Sequence, residues 1–243
     1  MNKLYYDLHI HSCLSPCGDN ESTPDSIAGM GELNGLGIMA LTDHNTVKNC
    51  PAFFKAAERH GIVPVAGLEL TTSEDIHMVC LFETLEGALD FGTIVENSLV
   101  RVKNREDVFG SQLIVDEFDR VIGRQEDLLI NATEITVGDV KSKVESFGGI
   151  TYPAHIDREA GGMVAVLGSV PDEYGFCFAE LHDRNRKSEY AALTGMPEHR
   201  FLISSDAHVL WNIKEAEDYI TLECGNDPSE VRKALFDYLR CKK

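Results

Sequence analysis

Apolar positions recur along the chain in two alternating patterns, short runs that suit buried strands and i, i+3, i+4 spacings that suit helices. Leu4 to Ile10 reads as a strand. Thr23 and Pro24 then supply an N-cap and a proline at the first helical position, Ile27, Met30 and Leu33 share one face, and Gly35 and Gly37 end the helix. Ile38 to Leu41 is a second strand, Pro51 opens a helix that Gly61 stops, and Ile62 to Leu70 is a third strand. The next strand, His77 to Phe82, follows too closely for a parallel crossover, which needs a dozen or more residues, so this pair is expected to be antiparallel. A helix from about Leu85 to Asn104 precedes a hairpin in which Gln112 to Val115 and Val121 to Gly123 flank a polar turn. Val137 to Phe147 reads as helix, and Ile150 to Tyr152, Phe176 to Leu181 and Phe201 to Ser204 as strands, which brings the main series to seven. A strand near Tyr219 to Leu222 leads into a last helix with Asp227 as N-cap, Pro228 at N1, and Val231, Leu235 and Leu239 on its apolar face.

No repeat or low-complexity linker divides this series, so residues 1–243 are expected to form a single α/β domain. The segment of about 105–130 reads as an insert capping a site, and residues 217–241 as a strand and helix packed on the outside. A hydrophobic content of 43% supports a sizeable core. Forty Asp and Glu against 22 Lys and Arg give a formal charge of -18, which disfavours long nucleic acid as a partner. No apolar run reaches the roughly eighteen residues of a membrane span, and no signal-peptide core follows Met1, so a soluble cytoplasmic protein with no membrane partner is expected. Seven Cys without CxxC pairing indicate a reducing compartment. The oligomeric state is not encoded in any of these patterns.

The chemistry-bearing residues gather at strand ends. His9 and His11 close the first strand at i, i+2 spacing, which in extended chain points both rings to one face. Asp43 and His44 follow the second strand, Glu69 ends the third, His155 follows Pro153 and Ala154, and Asp206 and His208 repeat the i, i+2 spacing. His77 starts its strand, and an antiparallel turn around Ser73 would set it opposite Glu69 at the same face. In βα barrels the C-terminal strand ends form the active face. Six imidazoles with three carboxylates at one face point to metal binding, and this donor set suits Zn, Mn or Fe(II). A carboxylate such as Glu69 can bridge two cations about 4 Å apart.

Asp7-Leu8-His9-Ile10-His11-Ser12, Leu41-Thr42-Asp43-His44-Asn45, Gly67-Leu68-Glu69, Pro153-Ala154-His155 and Ser205-Asp206-Ala207-His208 resemble, in order, the motifs of the PHP (polymerase and histidinol phosphatase) family of metal-dependent phosphoesterases. The resemblance runs from residue 4 to about 210. It implies a distorted (βα)7 TIM-like barrel of PHP type, here with a small β-hairpin insert, and a centre of two or three divalent ions. By that resemblance His9, His11, Glu69 and Asp206 hold one ion, Glu69 bridges to a second held by His77 and His155, and His44 and His208 belong to a third position or act on the leaving group. Relatives commonly place a His or Asp soon after HxH, where this chain has Ser15-Pro16-Cys17-Gly18-Asp19, so Cys17 or Asp19 could stand in, or be a free thiol and a solvated carboxylate. Asp43 has a ligand reading and a reading as an acceptor orienting a ring; Asp7 reads as such a support, on the same face as His9.

The implied reaction is hydrolysis of a small phosphate mono- or diester by a metal-bridging hydroxide, with His208, His44 and Asp43 as the catalytic candidates. Arg158 could bind substrate phosphate or form a surface ion pair with Asp157 or Glu159. Glu180 and His182 repeat the i, i+2 pattern outside any motif. Two rival readings are an amidohydrolase-type metal hydrolase and a metal-binding PHP module without activity.

Overall fold

The computed structural model describes residues 1–241. Its elements run β1 (Asn2–Ile10), α1 (Pro24–Leu33), β2 (Ile38–Leu41), α2 (Cys50–Arg59), β3 (Val63–Thr71), β4 (His77–Phe82), α3 (Leu85–Ser98), α4 (Glu106–Phe109), β5 (Leu113–Val115), β6 (Val121–Arg124), α5 (Val137–Ser146) and β7 (Gly149–Pro153). They continue α6 (Met163–Leu167), β8 (Ala179–Leu181), α7 (Lys187–Thr194), β9 (Phe201–Ile203), β10 (Tyr219–Leu222) and α8 (Pro228–Leu239). Caps fix several helix starts: Thr84 and Thr136 accept from the backbone N–H groups of Gly87 and Asp139, and Asp227 accepts from Ser229 and Glu230.

Six strands make one curled sheet in the order β10-β1-β2-β3-β4-β7, and β8 pairs with β9 separately. The sheet is a mixed half-barrel: among the described strands β1-β2-β3 and β8-β9 pair in parallel, so the α/β class and the curl of the expected distorted (βα)7 barrel are present without seven regular βα units. The short β3–β4 connection forces an antiparallel pair, as the spacing predicts, and β4 then pairs antiparallel with β7. Single contacts, rather than ladders, carry the sheet around: Ile156 N–H donates to Glu180 O at 2.9 Å, and Ile10 bridges Ala207 in parallel.

Two elements are shorter than their sequence pattern. Helix α3 stops at Ser98 instead of near Asn104, because buried Leu99 turns extended and bridges Thr133. Strand β8 keeps only Ala179–Leu181, since Gly175, in the left-handed region at φ 60°, breaks the chain just before Phe176.

Two apolar clusters flank the sheet. On one side Tyr6, Leu8, Ala40, Val65, Val79 and Leu81 meet α8 through Val231, Leu235 and Phe236. On the other, Ile10, Met39, Leu41, Leu68 and Leu70 meet α1, α2, α3 and α5. At roughly 1.5–3 kcal/mol for each fully buried Leu, Ile or Phe, these clusters carry the fold and leave strand ends free for polar work. Among the described residues no helix is long and apolar enough to cross a membrane.

Candidate metal centre

Strand β1 changes face just before the site. Asp7 aligns with Met39 but Ile10 with Leu41, so three steps on β1 match two on β2. A bulge of this kind re-aims side chains. Tyr6 and Leu8 lie in the cluster closed by α8, whereas Ile10 lies in the opposite one, and His9 and His11 therefore take the face on which Glu69 stands. Asp7 lies before this shift, so its expected place on the face of His9 is corrected. Its carboxylate instead accepts from Ser205 N–H at 3.0 Å, tying down the segment that carries Asp206.

Glu69 is the hub. Its oxygens lie 3.5 Å from His9, 3.4 Å from His11, 2.9 Å from His44, 2.9 Å from His77 and 3.0 Å from His155. Thr71, not Glu69, is the partner of His77 in the ladder, because the turn is centred one residue later than Ser73. His77 still reaches Glu69 diagonally on the same face, as alternate residues can. Asp206 completes the cage at 3.4 Å from His9 and 3.0 Å from His11. His155 and Asp206 both hold positive φ, 26° and 50°, a cost that persists where surrounding bonds fix the backbone. Asp206 N–H donates to His9 O and His155 N–H to Glu180.

The donor atoms group in three sets, each within 4.8 Å: His9, His11, Glu69 and Asp206; His44, Glu69 and His77; and His11, His44 and His208. Among the described residues Glu69 Oε2, Asp206 Oδ1 and His44 Nδ1 are buried without a hydrogen-bond partner, whereas His155 joins none of the three sets and reaches Glu69 through Nε2. His44 Nδ1 and Glu69 Oε2 lie 2.9 Å apart and still do not bond, as expected of atoms aimed at a shared point rather than at each other. Buried, unpaired, convergent N and O donors fit divalent cations.

Charge distribution follows from burial and proximity. Burial pushes the His9 imidazole down, but the fields of Glu180, Glu69 and Asp206 outweigh it and hold that ring well above its ordinary value. His11 goes the other way: burial, with His208 and His44 beside it, holds it well below. Burial would raise Glu69, yet His77, His44 and His9 keep it well below the carboxylate range. Asp206 follows the same logic through His9 and His11. Ionised Glu69 and Asp206 and a neutral His11 are forms that bind metal, whereas His9 has to release a proton before it can ligate.

A second layer braces the cage. Ser15 Oγ lies 2.8 Å from His11 Nδ1 and donates to Asp43, whose carboxylate also accepts from the Ser12 N–H and hydroxyl, each at 2.7 Å. With both oxygens engaged, Asp43 stands behind the donor atoms rather than among them. Cys17 joins none of the donor sets: its backbone is left-handed, at φ 63°, its N–H donates to Phe109 O, and its side chain is exposed. Asp19 likewise turns to the backbone N–H of Glu21. Arg158 reaches the cage, with one guanidinium nitrogen on Asp206 and the other 2.9 Å from His182 Nδ1. Glu180, outside every motif in the sequence, is buried against His9 at 2.8 Å. The i, i+2 spacing with His182 was its only signal.

The PHP domain matches residues 7–150, more than half of the chain. The chain belongs to the PHP family. Sequence relatives include an error-prone DNA polymerase from Symbiobacterium thermophilum, 32% identical over 91 residues that make up 37% of this chain and 8% of the relative. Another is the PolC-type DNA polymerase III of Bacillus subtilis, 27% identical over 54% of this chain and 10% of the polymerase. The chain thus spans about a tenth of the length of these relatives. Among solved structures, endonuclease Q of Pyrococcus furiosus has TM-score 0.65 and 19% identity over 97% of this chain and 56% of its own. A candidate metal-dependent phosphoesterase of Bifidobacterium adolescentis has TM-score 0.57 and 17% identity over 95% of each chain. An amidohydrolase of Chromobacterium violaceum has TM-score 0.55 and 20% identity over 88% of this chain and 91% of its own.

This PHP domain thus carries a buried cluster of imidazoles and carboxylates that could hold metal ions. One expectation falls. Long nucleic acid was disfavoured on net charge, yet endonuclease Q of this fold has been solved with a 27-mer duplex carrying an abasic lesion at its active site, at TM-score 0.63 over 96% of this chain. Net charge sums the whole molecule, whereas a phosphate is met by a few local groups and by cations.

Proposed function

We propose that this PHP protein hydrolyses phosphate esters at a centre of two or three divalent cations, with nucleic-acid phosphodiesters within its substrate class. The observation that supports this reading is the convergence of three donor sets, two of them sharing the carboxylate of Glu69. His9, His11, Glu69 and Asp206 would hold one ion, Glu69 with His77 and His155 a second, and His44 and His208 would hold a third or, where two ions are bound, act on the leaving group. Bound there, such ions supply Lewis acidity toward phosphoryl oxygens and lower the pKa of water.

The chain's own residues do the rest. Arg158 is 37% exposed at the rim and can turn a guanidinium nitrogen from Asp206 to a nonbridging phosphate oxygen. His208 is the most exposed ring of the cage, at 29%, and its Nδ1 lies 3.1 Å from Asp206 O, so with two ions bound and the third position empty its Nε2 is left to protonate the leaving oxygen.

The test is turnover of an aryl phosphate, an aryl phosphodiester and an abasic-site duplex by protein loaded with Mn or Zn. Hydrolysis of one of these, lost in a folded His9→Ala variant, is the expected result. Metal uptake with no cleavage across that panel would remove the phosphoesterase reading and leave the metal-binding module; cleavage confined to amide or lactone substrates would move the protein to the amidohydrolase reading.

A further inference from the structure

Glu180 belongs to no motif of the metal cage, yet it is among the most deeply buried carboxylates in the molecule, 1% exposed, on the short strand β8. Among the described residues no Lys or Arg pairs with it, and its ion-pair partner is His9. An isolated carboxylate is costly to bury, so a position that keeps one has a use for its charge or its acceptor oxygens. The contacts identify the use. Oε1 lies 2.8 Å from His9 Nδ1 and also accepts the backbone N–H of His155 at 3.2 Å. His9 comes from β1 and His155 from the end of β7, and the two rings stack at 5.9 Å between centroids. Oε2 has no partner among the described residues, so no competing contact holds the side chain in another orientation.

We infer that Glu180 is a positioning residue that braces both ion positions through a single oxygen. Accepting from His9 Nδ1–H fixes the tautomer that leaves Nε2 free, the nitrogen facing Glu69 and Asp206. Accepting from the His155 N–H holds that residue in its left-handed conformation, at φ 26°, and so aims its Nε2 at Glu69 from the other side. Most residues that orient a metal ligand act on one ring. Here one carboxylate oxygen reaches a ligand of the first ion and a ligand of the second, so the two affinities are coupled through it. The inference rests on the ligand assignment above and is independent of which bond the protein hydrolyses.

Titration calorimetry with Zn and with Mn, on the metal-stripped full chain, reads this directly. Glu180→Ala is expected to weaken both tight ions by about 10- to 100-fold. His77→Ala, which removes a donor near one ion only, is expected to weaken one. Glu180→Gln keeps an acceptor oxygen of the same reach and is expected to recover most of the loss, staying within about tenfold of the wild type. Long-range proton–nitrogen NMR spectra of the zinc-loaded wild type supply a readout that does not depend on any variant folding: His9 is expected to carry its proton on Nδ1. Wild-type affinity for both ions in Glu180→Ala, a loss confined to one ion, or a zinc-loaded His9 protonated on Nε2 would each overturn the inference. Because no step of this test measures phosphate release, a failed phosphoesterase assay leaves it standing.

Discussion

Asp43 is the residue whose role depends most on its neighbours. As part of Leu41-Thr42-Asp43-His44-Asn45 it could ligate or support, and sequence spacing treats the two alike. In the fold it is fully buried, and its carboxyl is pushed up by burial against the opposing pull of hydrogen bonds from Ser12 and Ser15. Asp43→Ala would strand the Ser12 N–H and two hydroxyls, and is expected to cost about 1–3 kcal/mol in the urea unfolding of metal-free protein. A variant that lost metal with no loss of stability would return Asp43 to the cage itself. His9, His11, Glu69 and Asp206 were legible because i, i+2 spacing and strand ends are local features. Glu180 was not, since its meaning lies in a contact 171 residues away, with His9.

Among the elements, the insert shows how a loop becomes a wall. Hairpin β5–β6 is held to the turns after β1 and β2 by Leu113 N–H to Cys13 O, by Asn49 Nδ2 to Leu113 O and by Val115 N–H to Asn49 Oδ1. Asn49→Ala removes two of these bonds and is expected to speed amide exchange through residues 113–124 while leaving β1–β3 protected, measurable by hydrogen-exchange mass spectrometry. Uniform exchange across the molecule would mean the hairpin is not locally held. The hydrophobic pattern located this hairpin correctly, because alternation over a few residues is enough to specify it. It gave no hint of the bulge in β1, where one extra residue decides the face of His9 and His11.

Buried thiols add a second property at the same scale. Burial pushes Cys13, Cys50 and Cys80 up to about 12. An unfolded thiol titrates near 8.5, so above that pH the unfolded chain loses protons that the folded chain keeps. Stability from these groups is therefore complete below about pH 8.5 and falls as pH rises toward about 12. Urea midpoints at pH 8, 9.5 and 10.5 are expected to decline in that order, and the decline is expected to shrink in Cys80→Ala. An equal slope in that variant would assign the alkaline loss to other groups, such as Tyr6 and Tyr152, which burial also raises.

For the whole molecule, the metal centre acts as a clasp. The grouped donors come from β1, β3, β4, the turn after β2 and the segment after β9, so an ion that binds only the folded state stabilises all of them together. At about 100 times its Kd such an ion adds roughly 2.7 kcal/mol. A rise in Tm with Zn or Mn that EDTA reverses is expected, and the rise should vanish below about pH 6, where free imidazole is mostly protonated and no longer binds metal. A metal-induced rise undiminished at pH 5 would show that imidazole protonation does not govern binding.

The sequence by itself determined which residue types stand at strand ends, that β3 and β4 run antiparallel, and that the chain carries a PHP-type set of imidazoles and carboxylates. All of these follow from short-range spacing, because side-chain direction along a strand repeats every two residues and a tight turn leaves no room for a crossover. Only the tertiary structure decided that the sheet is a mixed half-barrel, that Cys17 lies outside the grouped donors, that both oxygens of Asp43 are taken by Ser12 and Ser15, and that Glu180 stands behind His9. Those outcomes depend on a bulge, on left-handed residues and on contacts between distant segments, where burial and hydrogen-bond satisfaction select one arrangement among several that local pattern allows equally.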